Sequence, residues 1–263
     1  MKYTTILFDL DGTVSDTKPG IMNSVQYSLN ALGIEVPPFD TLERFIGPPL
    51  RQSFRECFGF DDALTEIAVR KYREYYGETG LYENFLYPGM ECLLKKLHGE
   101  GRALAIATTK AAVYAERILE RLGIARYFAF IAGSELDGSR SDKAELIRYA
   151  MENLVCGGNG DKIITCGVGN AIHGRENDGG DNTINGRGND SGDNAINGRD
   201  GGGYKIDARS AVMIGDRAFD IIGAKACGID SIGVLFGYGE LEELTGAGAD
   251  YIAARPDDLY DLL

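Results

Sequence analysis

The chain has 263 residues, of which 44% are hydrophobic and 25% charged, the balance of an ordinary globular protein with enough chain for a sizeable core. Forty acidic against 27 basic residues leave a formal charge of −13, which argues against a nucleic-acid polymer or an anionic membrane as partner because both need basic patches. No apolar run approaches the ~20 residues of a membrane span, and acids interrupt what would be the apolar part of a signal peptide. The five cysteines are scattered and odd in number, so we expect reduced thiols and a cytoplasmic protein.

In chain order, the sequence begins with a short β-rich run at residues 3–8. Three amphipathic helices come next, with no convincing strand between them: residues 18–32, 50–58 and 61–76. This pattern predicts a helical cap domain at residues 17–86, inserted after the first strand. We expect its two connections, near residues 16–17 and 84–89, to be adjacent hinge strands.

From about residue 87 onwards, short apolar runs alternate with helical stretches. The predicted strands are residues 102–107, 128–132, 211–214, 231–234 and 250–252. The predicted helices are residues 88–97, 111–122, 143–154, 218–227 and 256–263. Strands that alternate with helices predict an α/β fold with a doubly wound, Rossmann-like parallel sheet, formed here by residues 1–16 and 87–263.

A segment rich in Gly, Asn and Asp interrupts this core domain at residues 156–209. Within it a six-residue pattern, Asn-Ala/Thr-Ile-His/Asn-Gly-Arg, starts at Asn170, Asn182 and Asn194. Each unit offers one isoleucine for burial, too little to offset the ordering entropy of a glycine-rich backbone. We therefore predict a disordered insertion; the alternative is a calcium-binding turn array, although the nine-residue repeat typical of such arrays is absent. Because it joins a helix to a strand, we expect it at the sheet edge opposite the carboxyl ends of the strands.

Acidic residues follow two of the predicted strands. The first strand ends in DLDGT, residues 9–13, which places Asp9 and Asp11 where doubly wound sheets bind their ligands. A chance DxDGT is expected in only roughly a few per thousand chains of this length. The strand at residues 211–214 is followed by GDRAFD, in which Asp216 and Asp220 lie four residues apart across a strand-to-helix turn. That spacing can bring both carboxylates to one side.

Two further polar positions belong to the same pattern. Thr108, Thr109 and Lys110 follow another predicted strand, where a threonine hydroxyl could also simply cap the next helix. Lys143 opens a helix, where the helix dipole disfavours a cation, and this indicates a functional reason for it.

These four motifs, in this order at strand ends and helix starts, resemble those of the phosphatases of the haloacid dehalogenase superfamily. The resemblance spans the chain except for the Gly/Asn-rich insertion. The stretches KPGIMNSVQYSLNALG, FIGPPLRQSF and GSELDGSRSDKAELIRYAMENL are most similar to the branch of phosphoglycolate phosphatases and 5′-nucleotidase-like hydrolases. That branch has a helical cap between its first and second motifs.

The resemblance implies a phosphomonoesterase that forms an aspartyl-phosphate on Asp9. Asp11 would protonate the leaving oxygen and later take a proton from the attacking water. Thr108 would hold phosphate oxygens, and Lys143 would stabilise the transferring phosphoryl group. An acid at the position of Asp11 fits a phosphatase or a phosphomutase, since the dehalogenases lack it.

The resemblance also implies a Mg²⁺ cofactor, a hard cation that suits all-oxygen ligands. Its ligands would be the carboxylates of Asp9 and Asp216 and the backbone carbonyl of Asp11. Asp220 would brace the site from behind these ligands.

Substrate choice would belong to the cap. Thr109 beside the site and the cap residues Arg51 and Lys18 are candidate substrate-binding residues, although the two cap cations could equally be solvated surface charges. An arginine would suit a carboxylate such as glycolate, whereas a nucleoside would suit an aromatic platform such as Phe54 or Tyr82. We expect a small phosphate ester of the phosphoglycolate or 5′-nucleotide class. Two alternatives stay open: a sugar phosphomutase of the β-phosphoglucomutase type, and a non-catalytic scaffold that uses the repeat insertion. The oligomeric state is open as well.

Overall fold

The computed structural model describes residues 2–156, 163–165 and 206–263. The strands in these ranges are β1 (Thr5–Phe8), β2 (Ser15–Asp16), β3 (Phe85–Leu86), β4 (Ala103–Ala111), β5 (Phe130–Ser134), β6 (Leu154–Cys156), β7 (Ile163–Thr165), β8 (Ala211–Gly215), β9 (Asp230–Val234) and β10 (Tyr251–Ala253). The helices are α1 (Lys18–Ala31), α2 (Leu50–Phe58), α3 (Asp62–Glu78), α4 (Met90–Gly99), α5 (Ala112–Arg121), α6 (Lys143–Asn153), α7 (Ala218–Cys227), α8 (Leu241–Ala247) and α9 (Asp258–Leu262).

A six-stranded parallel sheet has the order β10-β9-β8-β1-β4-β5. Strands β1 and β8 are buried along their whole length, as expected of parallel strands that helices cover on both faces. After β1 the chain builds the β4–β5 side of the sheet and then returns to build the β8–β10 side. This reversal creates a switch point beside β1, where such sheets bind ligands. The predicted doubly wound α/β fold is confirmed.

Alternate residues of β1 face different hydrophobic clusters. Ile6 and Phe8 lie in the larger cluster, whereas Leu7 belongs to a smaller one beneath α6 and α7. The larger cluster continues into the region between β2 and β3, where it includes Phe45 and Phe54. The interior of that helical region is therefore continuous with one face of the sheet.

The helical region is connected to the sheet domain by β2 and β3, which pair antiparallel with Ser15 opposite Leu86. Between them lie α1, α2 and α3, together with a 3-10 turn at Phe39–Phe45 that the sequence analysis did not predict. Helices α1 and α3 pack together, and the Ser28 hydroxyl donates a hydrogen bond of 2.8 Å to the carbonyl of Ala68. The division into a cap at residues 17–86 and a core around it stays a prediction, and we use the word cap for these residues.

Two elements of the sheet domain differ from the predicted ones. Strand β4 runs to Ala111 instead of ending at residue 107, with a register irregularity against β5 between Thr108 and Ala111. The β-branched threonines favour this extended conformation. Helix α8 was not predicted, because it is short and only Leu244 is buried, so the sequence shows little helical periodicity.

Most of the predicted insertion at residues 156–209 lies outside the described residues. The prediction that it is disordered therefore concerns residues that the structure does not describe. Where the structure describes this part of the chain, β6 pairs antiparallel with β7, a contact that the sequence analysis did not predict. Leu154, the first residue of β6, and Ile206, the first described residue after β7, are both buried in the smaller hydrophobic cluster. Within the described ranges, every helix is too short or too polar to cross a membrane.

Candidate active site

Three carboxylates meet at the switch point of the sheet. Asp9 follows β1 directly, Asp216 follows β8, and Asp220 lies in the first turn of α7. One oxygen from each carboxylate lies within 4.8 Å of the others, and the three residues are 4% exposed or less. The ends of adjacent parallel strands thus deliver a buried, all-oxygen cluster.

The two residues after Asp11 help to position Asp216. The Thr13 hydroxyl donates to Asp216 Oδ1 at 3.1 Å, and the backbone N–H of Tyr238 donates to Oδ2 at 2.9 Å. Gly12 has φ +83°, and a Cβ on it would lie 2.3 Å from Asp216 Oδ2. The Gly-Thr pair of the DLDGT motif therefore serves the carboxylate of the neighbouring strand end.

Lys143, the first residue of α6, is the cation of the cluster. Its Nζ lies 3.0 Å from Asp9 Oδ1 and 2.7 Å from Asp220 Oδ1, and it donates a hydrogen bond of 3.0 Å to the carbonyl of Ala107. Burial alone would lower the pKa of this ammonium, but the carboxylates of Asp220 and Asp9 outweigh burial and raise it. Lys143 is therefore charged at every physiological pH.

One ammonium does not balance this group of acids. Burial, and then repulsion from Asp220 and Asp9, raises the pKa of Asp216 well above its ordinary value. Burial also raises the pKa of Asp220 to about 6, although Lys143 opposes this shift. Ion pairing with Lys143 still leaves Asp9 Oδ1 and Asp220 Oδ1 without a well-aligned hydrogen-bond donor. Buried carboxylate oxygens that lack donors and repel one another fit a hard divalent cation.

Asp11 lies beside this cluster and pairs with a residue that the sequence analysis did not select. Lys110 Nζ is 2.8 Å from Asp11 Oδ2 and stacks over the Tyr76 ring at 4.8 Å, while Asp11 Oδ1 has no hydrogen-bond partner. The available signal for Lys110 was its position directly after Thr108 and Thr109, in the same run of polar residues near the end of β4. Thr108 itself is buried, and its hydroxyl accepts a hydrogen bond of 3.3 Å from the Lys110 N–H.

Thr109 connects the core to the cap. Its hydroxyl donates to the carbonyl of Gly47 at 2.8 Å, and Arg217, next to Asp216, donates from Nη1 to the carbonyl of Ile46 at 2.7 Å. Arg217 also forms an ion pair with Glu243 at 2.9 Å. Neither threonine caps α5, since that helix has no side-chain hydrogen bond at its N-cap.

Tyr238 connects the cluster to the hinge. Besides its N–H bond to Asp216, its hydroxyl donates to Asp16 Oδ1 at 2.7 Å and accepts from the N–H groups of Thr17 and Lys18 at 3.0 and 3.1 Å. Sequence reasoning missed Tyr238 as well as Arg217. The available signal for Tyr238 was its position in an FGYG run that follows a predicted strand.

A cavity of about 330 Å³ opens between the cap and the core. Asp11, Thr109 and Arg51 line it, together with three tyrosines that were not predicted as site residues, Tyr72, Tyr76 and Tyr114. The cavity thus brings the predicted acid, Asp11, together with two of the three candidate substrate-binding residues.

The other cap candidates do not line this cavity. Lys18 forms an ion pair with Glu43. Phe54 is fully buried in the cap interior, and Tyr82 is exposed. The cavity therefore contains none of these three side chains.

Known proteins with similar sequences and structures agree with this arrangement. A family model described as haloacid dehalogenase-like hydrolase matches residues 6–169. A 5′-nucleotidase of Pseudomonas aeruginosa is 37% identical over 244 residues, which cover 93% of this chain and 88% of that protein. The tyrosine-protein kinase PtkA of Mycobacterium tuberculosis is 30% identical over 260 residues, which cover 98% of this chain and 72% of that protein.

Among solved structures, the crystal structure of a predicted phosphatase from Clostridium acetobutylicum superposes with a TM-score of 0.78 at 37% identity, and the match covers 100% of this chain and 98% of that one. The family match spans more than half of the chain and contains Asp9, Asp11, Thr108 and Lys143. The chain therefore belongs to the haloacid dehalogenase-like hydrolases and is a phosphatase.

Proposed function

We propose that this phosphatase hydrolyses a small phosphate monoester, with Mg²⁺ as cofactor, through a covalent aspartyl-phosphate on Asp9. The observation that carries the proposal is the buried cluster of Asp9, Asp216 and Asp220 within 4.8 Å, with Lys143 Nζ 3.0 Å from Asp9. This arrangement combines a nucleophile, a set of oxygen ligands and a fixed cation at one strand edge. Phosphoryl transfer needs these parts because catalysis consists mostly of positioning and charge stabilisation.

The residues that would hold Mg²⁺ are the carboxylates of Asp9 and Asp216 and the backbone carbonyl of Asp11. Asp220 would not ligate the ion directly, because its Oδ2 accepts a hydrogen bond of 3.0 Å from the Arg217 N–H and its Oδ1 forms an ion pair with Lys143. The bound ion would supply the positive charge that allows a phosphate dianion to approach an anionic nucleophile.

Each step of the proposed reaction is assigned to one of the chain's own residues. A carboxylate oxygen of Asp9 forms a bond to phosphorus while the bond to the leaving oxygen breaks. The leaving oxygen receives a proton from Asp11, which lies two residues after Asp9 in the sequence and lines the cavity. Asp11 then takes a proton from the water that attacks phosphorus, which releases phosphate and restores Asp9. Lys143 and the Thr108 hydroxyl hold the charge on the phosphoryl oxygens.

The substrate we propose is a small phosphorylated metabolite of the phosphoglycolate or 5′-nucleotide class. The 37% identical relative named 5′-nucleotidase supports this class, as do relatives named phosphoglycolate phosphatase at 26% identity or less. The cavity beside Asp11 is the space for the leaving group, and Arg51 lines it.

The test is phosphate release from 5′-nucleotides, phosphoglycolate, sugar phosphates and p-nitrophenyl phosphate, with and without Mg²⁺. We expect turnover that requires Mg²⁺ and falls by about 10⁴-fold or more in Asp9→Asn, since that change removes the nucleophile. Asp261→Asn is the matched control, because Asp261 is exposed at the end of α9, and it should leave the rate unchanged.

No Mg²⁺-dependent turnover of any ester by the folded wild-type protein would overturn the proposal. Analysis of the products separates hydrolysis from the mutase alternative. A phosphatase releases inorganic phosphate without a bisphosphate activator, whereas a mutase returns the phosphoryl group to a sugar.

A further inference from the structure

The cavity between cap and core is lined by charged side chains that differ in exposure. Asp11 and Lys110 from the core are largely inaccessible to solvent. Arg51 from α2 and Arg73 from α3 line the same cavity and are only partly buried. A leaving group that occupies this cavity beside Asp11 would therefore share it with two guanidinium groups.

Arg73 differs from the other arginines of the cavity in its pairing. The Arg51 guanidinium binds both carboxylate oxygens of Glu66, at 2.5 and 3.1 Å, and Arg55 pairs with Asp62 at 2.7 Å. Within the described ranges, Arg73 pairs with no carboxylate, and its Nη2 donates to the backbone carbonyl of Leu136. In a chain with a net charge of −13, an unpaired and partly buried guanidinium is unusual.

Arg73 lies near a second guanidinium group, that of Arg51. Burial, and then repulsion from Arg51, lowers the pKa of Arg73, although Tyr114 and Glu66 oppose this shift. An oxyanion beside the two guanidinium groups would offset their repulsion, and the guanidinium fork matches carboxylate and phosphate geometry.

We propose that Arg73, together with Arg51, forms a subsite for a second negative charge on the leaving group. The inference rests on the proposed function and narrows its substrate class. The preferred substrates are phosphomonoesters whose leaving group carries a further phosphate or a carboxylate at the end remote from the reacting phosphorus. Arg73 and Arg51 are specificity-determining residues in this scheme.

The size of the cavity limits the leaving group further. Its volume of about 330 Å³ is in the range of sites for small organic molecules and exceeds what a two-carbon acid such as glycolate fills. Tyr72, Tyr76 and Tyr114 give it flat walls, which suit a sugar or nucleoside ring. We therefore favour an anionic sugar or nucleoside as the leaving group over glycolate.

The experiment compares kcat/KM within matched pairs of substrates in the presence of Mg²⁺. The phosphate pairs are fructose 1-phosphate with fructose 1,6-bisphosphate, and adenosine 5′-monophosphate with adenosine 3′,5′-bisphosphate. Glycerol 1-phosphate with 3-phosphoglycerate tests a carboxylate as the second anion. For the wild type we expect the doubly anionic member of at least one pair to be preferred by about tenfold or more.

The variant is Arg73→Gln, which should lower that preference by about tenfold, since it removes a charge-assisted contact made only to the second anion. Arg73→Lys, which keeps the charge but loses the planar fork, should give an intermediate ratio. Arg70→Gln is the control, because Arg70 lies on the same helix but is exposed and does not line the cavity, and it should leave the ratio unchanged.

The inference fails if the wild type shows no preference for the second anion in any pair. It also fails if folded Arg73→Gln lowers kcat/KM equally for both members of the preferred pair, because Arg73 would then not discriminate between them. Failure of the proposed function looks different, since no ester, including p-nitrophenyl phosphate, would then release phosphate in a Mg²⁺-dependent reaction.

Discussion

The carboxyl edge of the sheet and the cavity under the cap place their polar groups in different ways. At the sheet edge, short acidic side chains such as Asp9 and Asp216 follow strands directly, so the backbone positions them and they are almost completely buried. In the cavity, long side chains such as Arg51 and Arg73 extend from helices of the cap, and their positions depend on partners far away in sequence. The proposed reacting centre is thus positioned by the sheet, whereas the proposed recognition of the leaving group depends on side-chain packing in the cap.

The largest expected effect is the difference between substituting a lysine at the sheet edge, Lys143, and substituting one in the cap, Lys18. Lys143→Met should reduce kcat by about 10³-fold or more and destabilise the fold by about 3–5 kcal/mol, because it leaves Asp9 and Asp220 buried without their shared cation. Lys18→Met removes only a partly exposed ion pair with Glu43 and should cost about 1 kcal/mol or less. Activity assays and thermal unfolding in Mg²⁺ measure both, and similar effects of the two variants would contradict the comparison.

The next prediction concerns pH and metal at the sheet edge. The folded-state pKa of Asp220 is raised from 3.8 to about 6, and the pKa of Asp216 is raised as well. Between about pH 4 and pH 6 the metal-free folded protein therefore binds more protons than the unfolded chain. Its stability should therefore fall as pH rises from about 4 to above 6.

Mg²⁺ would replace these protons, so its stabilising effect should grow across the same pH range. At saturation we expect about 3 kcal/mol, or roughly 5–10 °C in Tm, at pH 8 and a much smaller gain at pH 5. The measurement is thermal unfolding with EDTA or Mg²⁺ at both pH values. An equal gain at pH 5 and pH 8 would show that the ion does not compete with protons at these carboxylates.

A smaller effect is expected where the two regions touch. Thr109→Val keeps the shape of the side chain but removes the hydrogen bond to Gly47, a contact worth about 1 kcal/mol. We expect KM to rise about fivefold with little change in kcat, since the lost bond holds the cap loop and not the phosphoryl group. Thr245→Val is the control, because the Thr245 hydroxyl bonds only within exposed α8. A loss of kcat at constant KM would instead give Thr109 a role in the chemical step.

The smallest effect should come from the repeat segment. Replacing residues 166–205 by a short Gly/Ser linker should leave kcat/KM within about twofold. Leu154 before β7 and Ile206 after the segment are anchored in the hydrophobic cluster beneath α6 and α7, and Ile206 shortly precedes β8, at the end of that strand opposite Asp216. Steady-state kinetics with the preferred ester tests this expectation. A large loss of activity would mean that the segment contributes to the site.

How far the sequence could predict this protein follows from the same distinction. Asp9, Asp11 and Asp216 were predictable site candidates because an apolar run shows where a strand ends, and the topology brings strand ends together. Lys110 was named beside Thr108 and Thr109 but was given no role, because its ion pair with Asp11 arises only when β1 and β4 lie side by side. Arg73 carried no local signal, since its relation to Arg51 arises only when α2 and α3 pack together.

The surroundings of Lys18 show the same limit. Lys18 stays a predicted substrate contact, and its ion-pair partner, Glu43, lies on the 3-10 turn that the sequence analysis did not predict. Similarly, the role of Tyr238 depends on a backbone N–H bond to Asp216 and on hydroxyl contacts to the hinge. Neither contact leaves a periodic or compositional trace in the chain.

Tyr238 also has a mechanical consequence. One residue is bonded both to Asp216 and to the first N–H groups of the cap. A rotation of the cap about this point would displace the carboxylates that would hold the metal less than the parts of the cap that lie farther from the hinge.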